Sequence, residues 1–412
     1  MLDIKYIREF AELIKDNCKN RGVSVDIERL LELDELRRGK IAKIEELRAE
    51  RNKGSKGKPS DEEIARMRQV GDEIADGERE LAALEGEYHI LLKAVPNLTH
   101  PEVPVGGEND YKVLATVGEP PKFDFEPKDH EELMLNLDLI DFERGAKVAG
   151  NKFFFSKGAL VRLNQALINY GIDVATKRGF ELMETPDLAK DEILEGIGFL
   201  PRGPEAQIYS IQNSDLSLIG TAEITIGGYH ANEILDLSNG PKKYVALSHC
   251  FRTEAGAYGR TSKGTYRVHQ FTKLEMFVFC KPEDSDAMHQ EILSIEQEIA
   301  DGLGFPYRVI DVASGDLGGP AYRKFDIEAY MVMNDGYGEI TSTSNCIDYQ
   351  ARRLNIRYRT EGGETAFAHT LNGTAVVTSR FPIAIFENFQ TKDGTIEVPK
   401  VLHKYTGFKE IK

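Results

Sequence analysis

From about residue 26 to residue 52 the chain interleaves Leu with Glu, Arg and Lys and contains no proline, a pattern that predicts a helix. The run Gly54-Ser55-Lys56-Gly57-Lys58-Pro59 breaks it. Ser60 then opens a second helix as its N-cap, and Glu63, three residues on, completes a capping box. Along that helix a 3-4 spacing visits Ile64, Met67, Gly71, Ile74, Glu78, Leu81, Glu85, Tyr88, Leu92 and Val95. Seven of these ten are apolar, which makes a coiled-coil seam with interruptions. Two long helices joined by a Gly/Pro turn form an antiparallel hairpin, an arm roughly 45 Å long at about 1.5 Å per residue.

The pattern changes after Val95-Pro96-Asn97-Leu98. Residues 101–128 hold Pro101, Pro104, Gly106, Gly107, Pro120 and Pro121 and read as a linker. From Asp129 onward helical stretches alternate with strand-like runs at 244–247, 266–279, 327–332 and 384–386. This mixed order predicts an α+β body built on a largely antiparallel sheet. The expected organisation is therefore a helical domain over 1–100, a linker over 101–128 and a body over 129–412.

Composition narrows the class. The 412 residues are 41% hydrophobic and 29% charged, as in ordinary globular chains of two or three domains. No run of eighteen apolar residues occurs, and the opening Met1-Leu2-Asp3-Ile4-Lys5 does not resemble a signal peptide. The four cysteines (Cys18, Cys250, Cys280, Cys346) are far apart and contain no C-x-x-C pair, which fits neither zinc nor a disulfide framework and points to a cytoplasmic protein. Net charge is −16, a field that repels phosphate on average. Its distribution is uneven: residues 37–58 carry nine basic and three acidic side chains, a local +6. A basic limb on an acidic body suggests a phosphate-binding arm, since surface charge that served only solubility would mix its signs.

The densest chemistry lies between Phe251 and Phe279. Phe251-Arg252-Thr253-Glu254 leads into a loop containing Gly256, Gly259 and Gly264, and the chain returns as Tyr266-Arg267-Val268-His269-Gln270-Phe271-Thr272-Lys273-Leu274-Glu275. On an ideal strand Arg267, Phe271 and Glu275 share one face, while Val268, Leu274 and Met276 take the other. Four strand residues span about 13 Å, roughly the distance from a stacked purine to a group beyond its first phosphate. An arginine fork suits phosphate because it is always charged and binds two oxygens. Neither a P-loop nor a strand-linked G-x-G-x-x-G is present, so a nucleotide would be held by side chains on a sheet. His269 reads as structural despite its position.

These residues carry a resemblance. Arg252-Thr253-Glu254, the loop, and Arg267-Val268-His269-Gln270-Phe271 resemble motif 2 of the class II aminoacyl-tRNA synthetases in their bacterial-type seryl form. Gly179-Phe180-Glu181-Leu182-Met183-Glu184-Thr185-Pro186 resembles motif 1, and Thr221-Ala222-Glu223 is similar to the family's T-A-E element. Glu339-Ile340-Thr341-Ser342-Thr343-Ser344-Asn345 and Asp348-Tyr349-Gln350-Ala351-Arg352-Arg353 resemble the stretch before motif 3. Thr370-Leu371-Asn372-Gly373-Thr374 through Arg380, then Glu387-Asn388, resembles motif 3. In that motif many members read N-G-S-G and end G-R, whereas this chain has Asn372-Gly373-Thr374-Ala375 and Ser379-Arg380.

The resemblance implies a class II antiparallel sheet flanked by helices, with an N-terminal coiled-coil arm. It implies activation of L-serine by ATP and Mg²⁺, then transfer of the seryl group to tRNA(Ser), with tRNA(Sec) a further candidate acceptor. Arg252 and Arg380 would be catalytic. ATP would meet Arg252, Thr253, Glu254, Arg267, Val268, Phe271, Glu339, Ile340, Thr341, Ser342 and Arg380, with Phe271 and Arg380 on opposite faces of adenine. Serine would meet Thr221, Ala222, Glu223, Arg252, Glu275, Asn372 and Thr374. Glu339 and Ser342 would ligate Mg²⁺, and since they differ in strand parity a bulge must intervene. Arg48, Arg51, Lys53 and Lys56 would contact tRNA, and Pro186 would lie in a homodimer interface. An alternative is a synthetase-like ligase loading a carrier protein. Such paralogues lack the arm.

Overall fold

The structure, a computed structural model, describes residues 1–54, 60–199, 207–254 and 263–412. The turn positions 55–59, Lys56 among them, and the loop glycines Gly256 and Gly259 lie outside the described residues. The chain divides into two compact units, Met1–Leu98 and Thr99–Lys412.

The first unit opens with α1 (Ile4–Glu9) and α2 (Ala11–Asn20) and continues into the long antiparallel pair α3 (Ile27–Gly54) and α4 (Asp61–Ala94). Ser60 caps α4 as its sequence predicts. The Ser60 amide donates to Glu63 Oε2 at 2.7 Å and the Glu63 amide to Ser60 Oγ at 3.3 Å. Ile44 and Leu47 pack with Val70 and Ile74 between the helices. Val70, not Gly71, therefore fills that layer, so the regular 3-4 count slips by one residue there. The seam positions Glu78 and Glu85 are answered by arginines of the facing helix, Arg48 at 2.7 Å and Arg37 at 3.0 Å. These pairs, one exposed and one half-buried, set register more than stability.

The second unit is organised by an eight-stranded sheet. Its strands are β1 (Lys112–Val117), β2 (Glu181–Glu184), β3 (Lys242–Phe251), β4 (Gln270–Cys280), β5 (Tyr307–Asp311), β6 (Arg323–Met331), β7 (Gly336–Asn345) and β8 (His369–Val377). In space they run β1-β5-β6-β7-β8-β4-β3-β2, and every neighbouring pair is antiparallel except β2 with β3. One face of β4 (Leu274, Met276, Val278, Cys280) joins the main core with α5 (Gly158–Lys177) and the later helix Ser285–Leu303. The other face turns Phe277 and Phe279 into a second apolar cluster and Glu275 into the site.

Three expectations change. Residues 101–128, read as a linker, contribute β1, whose Lys112 to Val117 pair with β5 at the edge of the sheet. Residues 384–386, read as a strand, lie in the helix Phe381–Asn388. That helix has Pro382 in its first turn and is buried on all sides, so a short apolar run gave no periodicity to separate helix from strand. The strand expected from Tyr266 begins only at Gln270, so Arg267 sits in the bend before it, and of the three residues expected on one face only Phe271 and Glu275 lie on the strand. All four cysteines are buried and free, and no described helix is long and apolar enough to cross a membrane.

The packing of α5 on the sheet depends on one small residue. A Cβ at Gly171 would lie 2.8 Å from Val376 Cγ2 and 3.0 Å from Leu274 Cδ2. Gly171→Val should lower stability by about 1–3 kcal/mol through overpacking, read as a lower urea midpoint with an unchanged slope.

Candidate active site

Two bulges determine which residues reach the site face of the sheet. Between β6 and β7, Ile327 pairs with Thr341 and Glu328 with Glu339, leaving Ile340 as the extra residue. Glu339 and Ser342 thus fall opposite Glu328 and Asp326, which are two apart on β6, and all four face one way. This is the irregularity that the parity of Glu339 and Ser342 required. Its cost falls on their neighbours: Ile340 is buried in the main core, and Thr341 Oγ1 donates to the buried Glu296 at 3.2 Å on the opposite side. Of these two expected ATP contacts, only the backbone remains on the site side. Between β8 and β4, Ala375 is skipped, so Thr374 stands opposite Glu275 while Val376 turns into the core beside Leu274.

Along β8 the alternate residues Thr370, Asn372 and Thr374 meet three partners in turn. Thr370 Oγ1 donates to Gln350 at 2.7 Å, Asn372 Nδ2 to Glu223 Oε1 at 3.0 Å, and Thr374 Oγ1 to Glu275 Oε2 at 3.2 Å. Glu275 is 2% exposed and forms a 2.6 Å ion pair with Lys273, itself nearly buried. Lys273 has no expected role in the sequence analysis, yet its parity with Phe271 and Glu275 was a usable signal. Thr221 caps the helix Ala222–Tyr229 by accepting from the Glu223 amide at 3.2 Å, which sets the buried Ala222 and Glu223 at the helix start. Burial, then the neighbouring Glu275, pushes the Glu223 carboxyl up to about 7. A pocket of about 270 Å³ opens beside it, with Phe199, Glu223, Pro320, Ser344, Cys346 and Asn372 on its wall.

Motif 2 is tied down by its backbone. The Arg252 amide donates to the His269 carbonyl at 3.0 Å, and His269 Nδ1 donates back to the Arg252 carbonyl at 2.8 Å. His269 also packs against Phe153 and Tyr209, so it braces Arg252. Arg252 Nε reaches the Gly220 carbonyl at 3.3 Å, and its guanidinium lies 5.4 Å from the Phe271 ring centre. The Thr253 amide bonds the Gln207 carbonyl at 3.3 Å. Glu254 takes a left-handed φ of 49° and pairs with Arg267 at 3.5 Å, while Val268 is buried. Arg380 lies 4.9 Å from the Tyr266 ring centre and 2.8 Å from Glu339 Oε1. Tyr266, which the sequence analysis gave no role, donates to the Glu339 carbonyl at 3.2 Å and so joins motif 2 to the acidic strand. Desolvation raises the Glu339 carboxyl, but Arg380 and Lys324 outweigh it and hold the group below its ordinary value.

The comparisons with known proteins match both units. Residues 1–99 match the seryl-tRNA synthetase N-terminal domain, and residues 208–389 the class II tRNA synthetase core domain (G, H, P, S and T). A serine–tRNA ligase of Treponema denticola is 51% identical over the full length of both chains. The chain belongs to the seryl-tRNA synthetase family. A second serine–tRNA ligase, from Rubrobacter xylanophilus, is 51% identical over 99% of this chain and 98% of its own. Among solved structures, seryl-tRNA synthetase from Pyrococcus horikoshii complexed with ATP superposes with a TM-score of 0.92 at 40% identity, covering 100% of this chain and 99% of that one. Cytoplasmic serine–tRNA ligase from Naegleria fowleri in complex with AMP gives 0.87 at 35%.

For this family member the ion pair at the base of the site offers a direct test. Lys273→Met would leave Glu275 buried without its cation and should cost roughly 3–5 kcal/mol of stability. The double variant Lys273→Met, Glu275→Gln should recover part of that loss. Strictly additive urea-denaturation effects would mean that the two side chains are not coupled.

Proposed function

We propose that the chain is a serine–tRNA ligase that activates L-serine with ATP and Mg²⁺, releasing pyrophosphate, and transfers the seryl group to the 3′ end of tRNA(Ser). The observation that supports it best is the placing of an arginine whose backbone N–H and C=O are both held by His269 (Arg252) beside a buried polar pocket (Glu223, Glu275, Asn372, Thr374). Attack of the serine carboxylate on the α-phosphate needs alignment and charge neutralisation more than a base. Arg252 is suited to bridge carboxylate and α-phosphate, Arg267 to take the γ-phosphate, and Glu254 with Val268 to meet the adenine edge. Phe271 and Arg380 supply faces for the adenine ring, and Thr253, Ile340 and Thr341 contribute backbone. The ammonium and hydroxyl of serine match the carboxylates and hydroxyls of Thr221, Glu223, Glu275 and Thr374, with Ala222 as wall.

The donor set fits Mg²⁺. Glu339 and Ser342 share a face, and opposite Ser342 the buried Asp326 Oδ1 has no hydrogen-bond partner among the described residues. Glu339 and Ser342 would hold the ion, which would supply neutralising charge to the phosphates. The homodimer through the segment around Pro186 and the cytoplasmic setting belong to this reading as well, with tRNA(Sec) a further candidate acceptor.

Serine-dependent ATP–pyrophosphate exchange followed by charging of tRNA(Ser) tests the whole proposal, and loading of a carrier protein instead would select the alternative ligase. Within it, Arg252→Ala should lower exchange about 10²–10³-fold while the fold persists. Near-normal exchange would remove Arg252 from the α-phosphate.

The arm has its own test. Arg48 is engaged by Glu78, whereas Arg51 and Lys53 form no ion pair among the described residues. RNA duplex is bound through shape and phosphates, which calls for free cations on a rigid support. Arg51→Ala with Lys53→Ala should flatten the log–log salt dependence of tRNA binding by about 0.7–0.9 per lost contact, with exchange unchanged. Adding Lys56→Ala should extend the effect. Adding Arg48→Ala should contribute less, because its charge is already shared. An unaltered slope would make the basic run a solvated face.

A further inference from the structure

Gln350 is 0% exposed in the short helix Tyr349–Leu354, and its side-chain amide is fully engaged. Nε2 donates to the Ile197 carbonyl at 3.1 Å and to Glu223 Oε1 at 2.8 Å, while Oε1 accepts from Thr370 at 2.7 Å. The orientation is forced. A flipped amide would set its oxygen against a carbonyl and a carboxylate, neither of which can supply a proton when Glu223 is ionised. Gln350 can therefore only donate to Glu223. Asn372 donates to the same oxygen at 3.0 Å. Two N–H groups saturate Oε1, so any proton on this carboxyl is confined to Oε2, and both bonds favour the ionised form.

We propose that Gln350 is a positioning residue for serine, holding Glu223 ionised with Oε1 occupied so that Oε2 is the oxygen left for the substrate's ammonium or hydroxyl. This rests on the reading of Glu223 as a serine-pocket residue. The charged and titratable groups facing Glu223 are Glu275 and Lys273 on β4 and Arg252 beyond β3, with the Cys346 thiol beyond Asn372. Burial and Glu275 favour protonation, whereas Gln350, Lys273 and Arg252 favour the charge. Removing the Gln350 donor shifts that balance toward the protonated form. Because serine requires the ionised form, its binding should then be lost at a higher pH as acidity increases.

The test is the pH profile of kcat/KM for serine in ATP–pyrophosphate exchange from about pH 6 to 9, using the full chain. Gln350→Met keeps the bulk and removes the donor. Its acid-side midpoint should rise by about one pH unit, roughly a tenfold loss below the midpoint, with values converging on the parent at high pH and KM for ATP unchanged. An unmoved midpoint, or a uniform loss at every pH, overturns the proposal. If Gln350→Met does not fold, Thr370→Val loosens the same amide and should move the midpoint in the same direction by less, and an unmoved midpoint there is equally fatal. Glu223→Gln separates the two levels. It should weaken serine binding and abolish the acid limb, and if it leaves serine KM and the profile unchanged, the pocket reading of Glu223 fails whatever Gln350 does.

Discussion

The site depends on one electrostatic constraint: charged groups on a largely buried sheet face must be answered there, because water cannot do it. Glu275 has Lys273, Glu339 has Arg380, and Glu223 has the amides of Gln350 and Asn372. Lys273 answers Glu275 from the same strand, whereas Arg380, Gln350 and Asn372 answer from other elements than the carboxylates they meet, so satisfying those charges also holds the elements in place. Asp326 Oδ1 and Glu296 Oε1 lack partners among the described residues. The two orphans differ in what surrounds them. Asp326 stands opposite Ser342 on the acidic face, whereas Glu296 lies under the sheet beside Thr341; burial raises the proton affinity of both, that of Glu296 well above normal.

The bulges follow from that constraint. A regular strand cannot send both Glu339 and Ser342 to the acidic face, nor both Thr374 to Glu275 and Val376 to the core. One skipped residue in each ladder resolves the conflict, and Ile340 and Ala375, the skipped residues, are apolar and buried. Parity alone exposed the first conflict in the sequence. The second stayed hidden because only Thr374 had an expected role, so nothing in the sequence set Val376 against it.

Legibility tracked how local the signal was. The α4 cap could be read because Ser60 and Glu63 satisfy each other within one turn, and the core face of β4 at Leu274 and Met276 because strand side chains alternate between faces. Residues 384–386 misled because complete burial erases periodicity, and 112–117 because an edge strand with most of its side chains exposed carries little apolar pattern. Motif spacing picked out Arg252, Glu275 and Arg380. It gave no role to Lys273, Tyr266 or Gln350, whose work is to hold other side chains rather than a ligand. Residues of that kind are recognised from what they touch.

The same distinction explains why the pocket tolerates so much buried charge. A cluster of carboxylates and cations is a poor source of stability, since desolvation consumes most of what attraction returns. What it provides is preorganisation: dipoles and charges already aimed, so that little reorganisation is needed when substrate enters. The amide of Gln350 fits that logic better than a second cation would. A lysine in its place would neutralise Glu223, whereas a neutral donor leaves the full negative charge on the carboxylate. An amide can bond the Ile197 carbonyl and Glu223 together while accepting from Thr370, which an ammonium, having no acceptor, cannot do, so the fold itself selects the residue type.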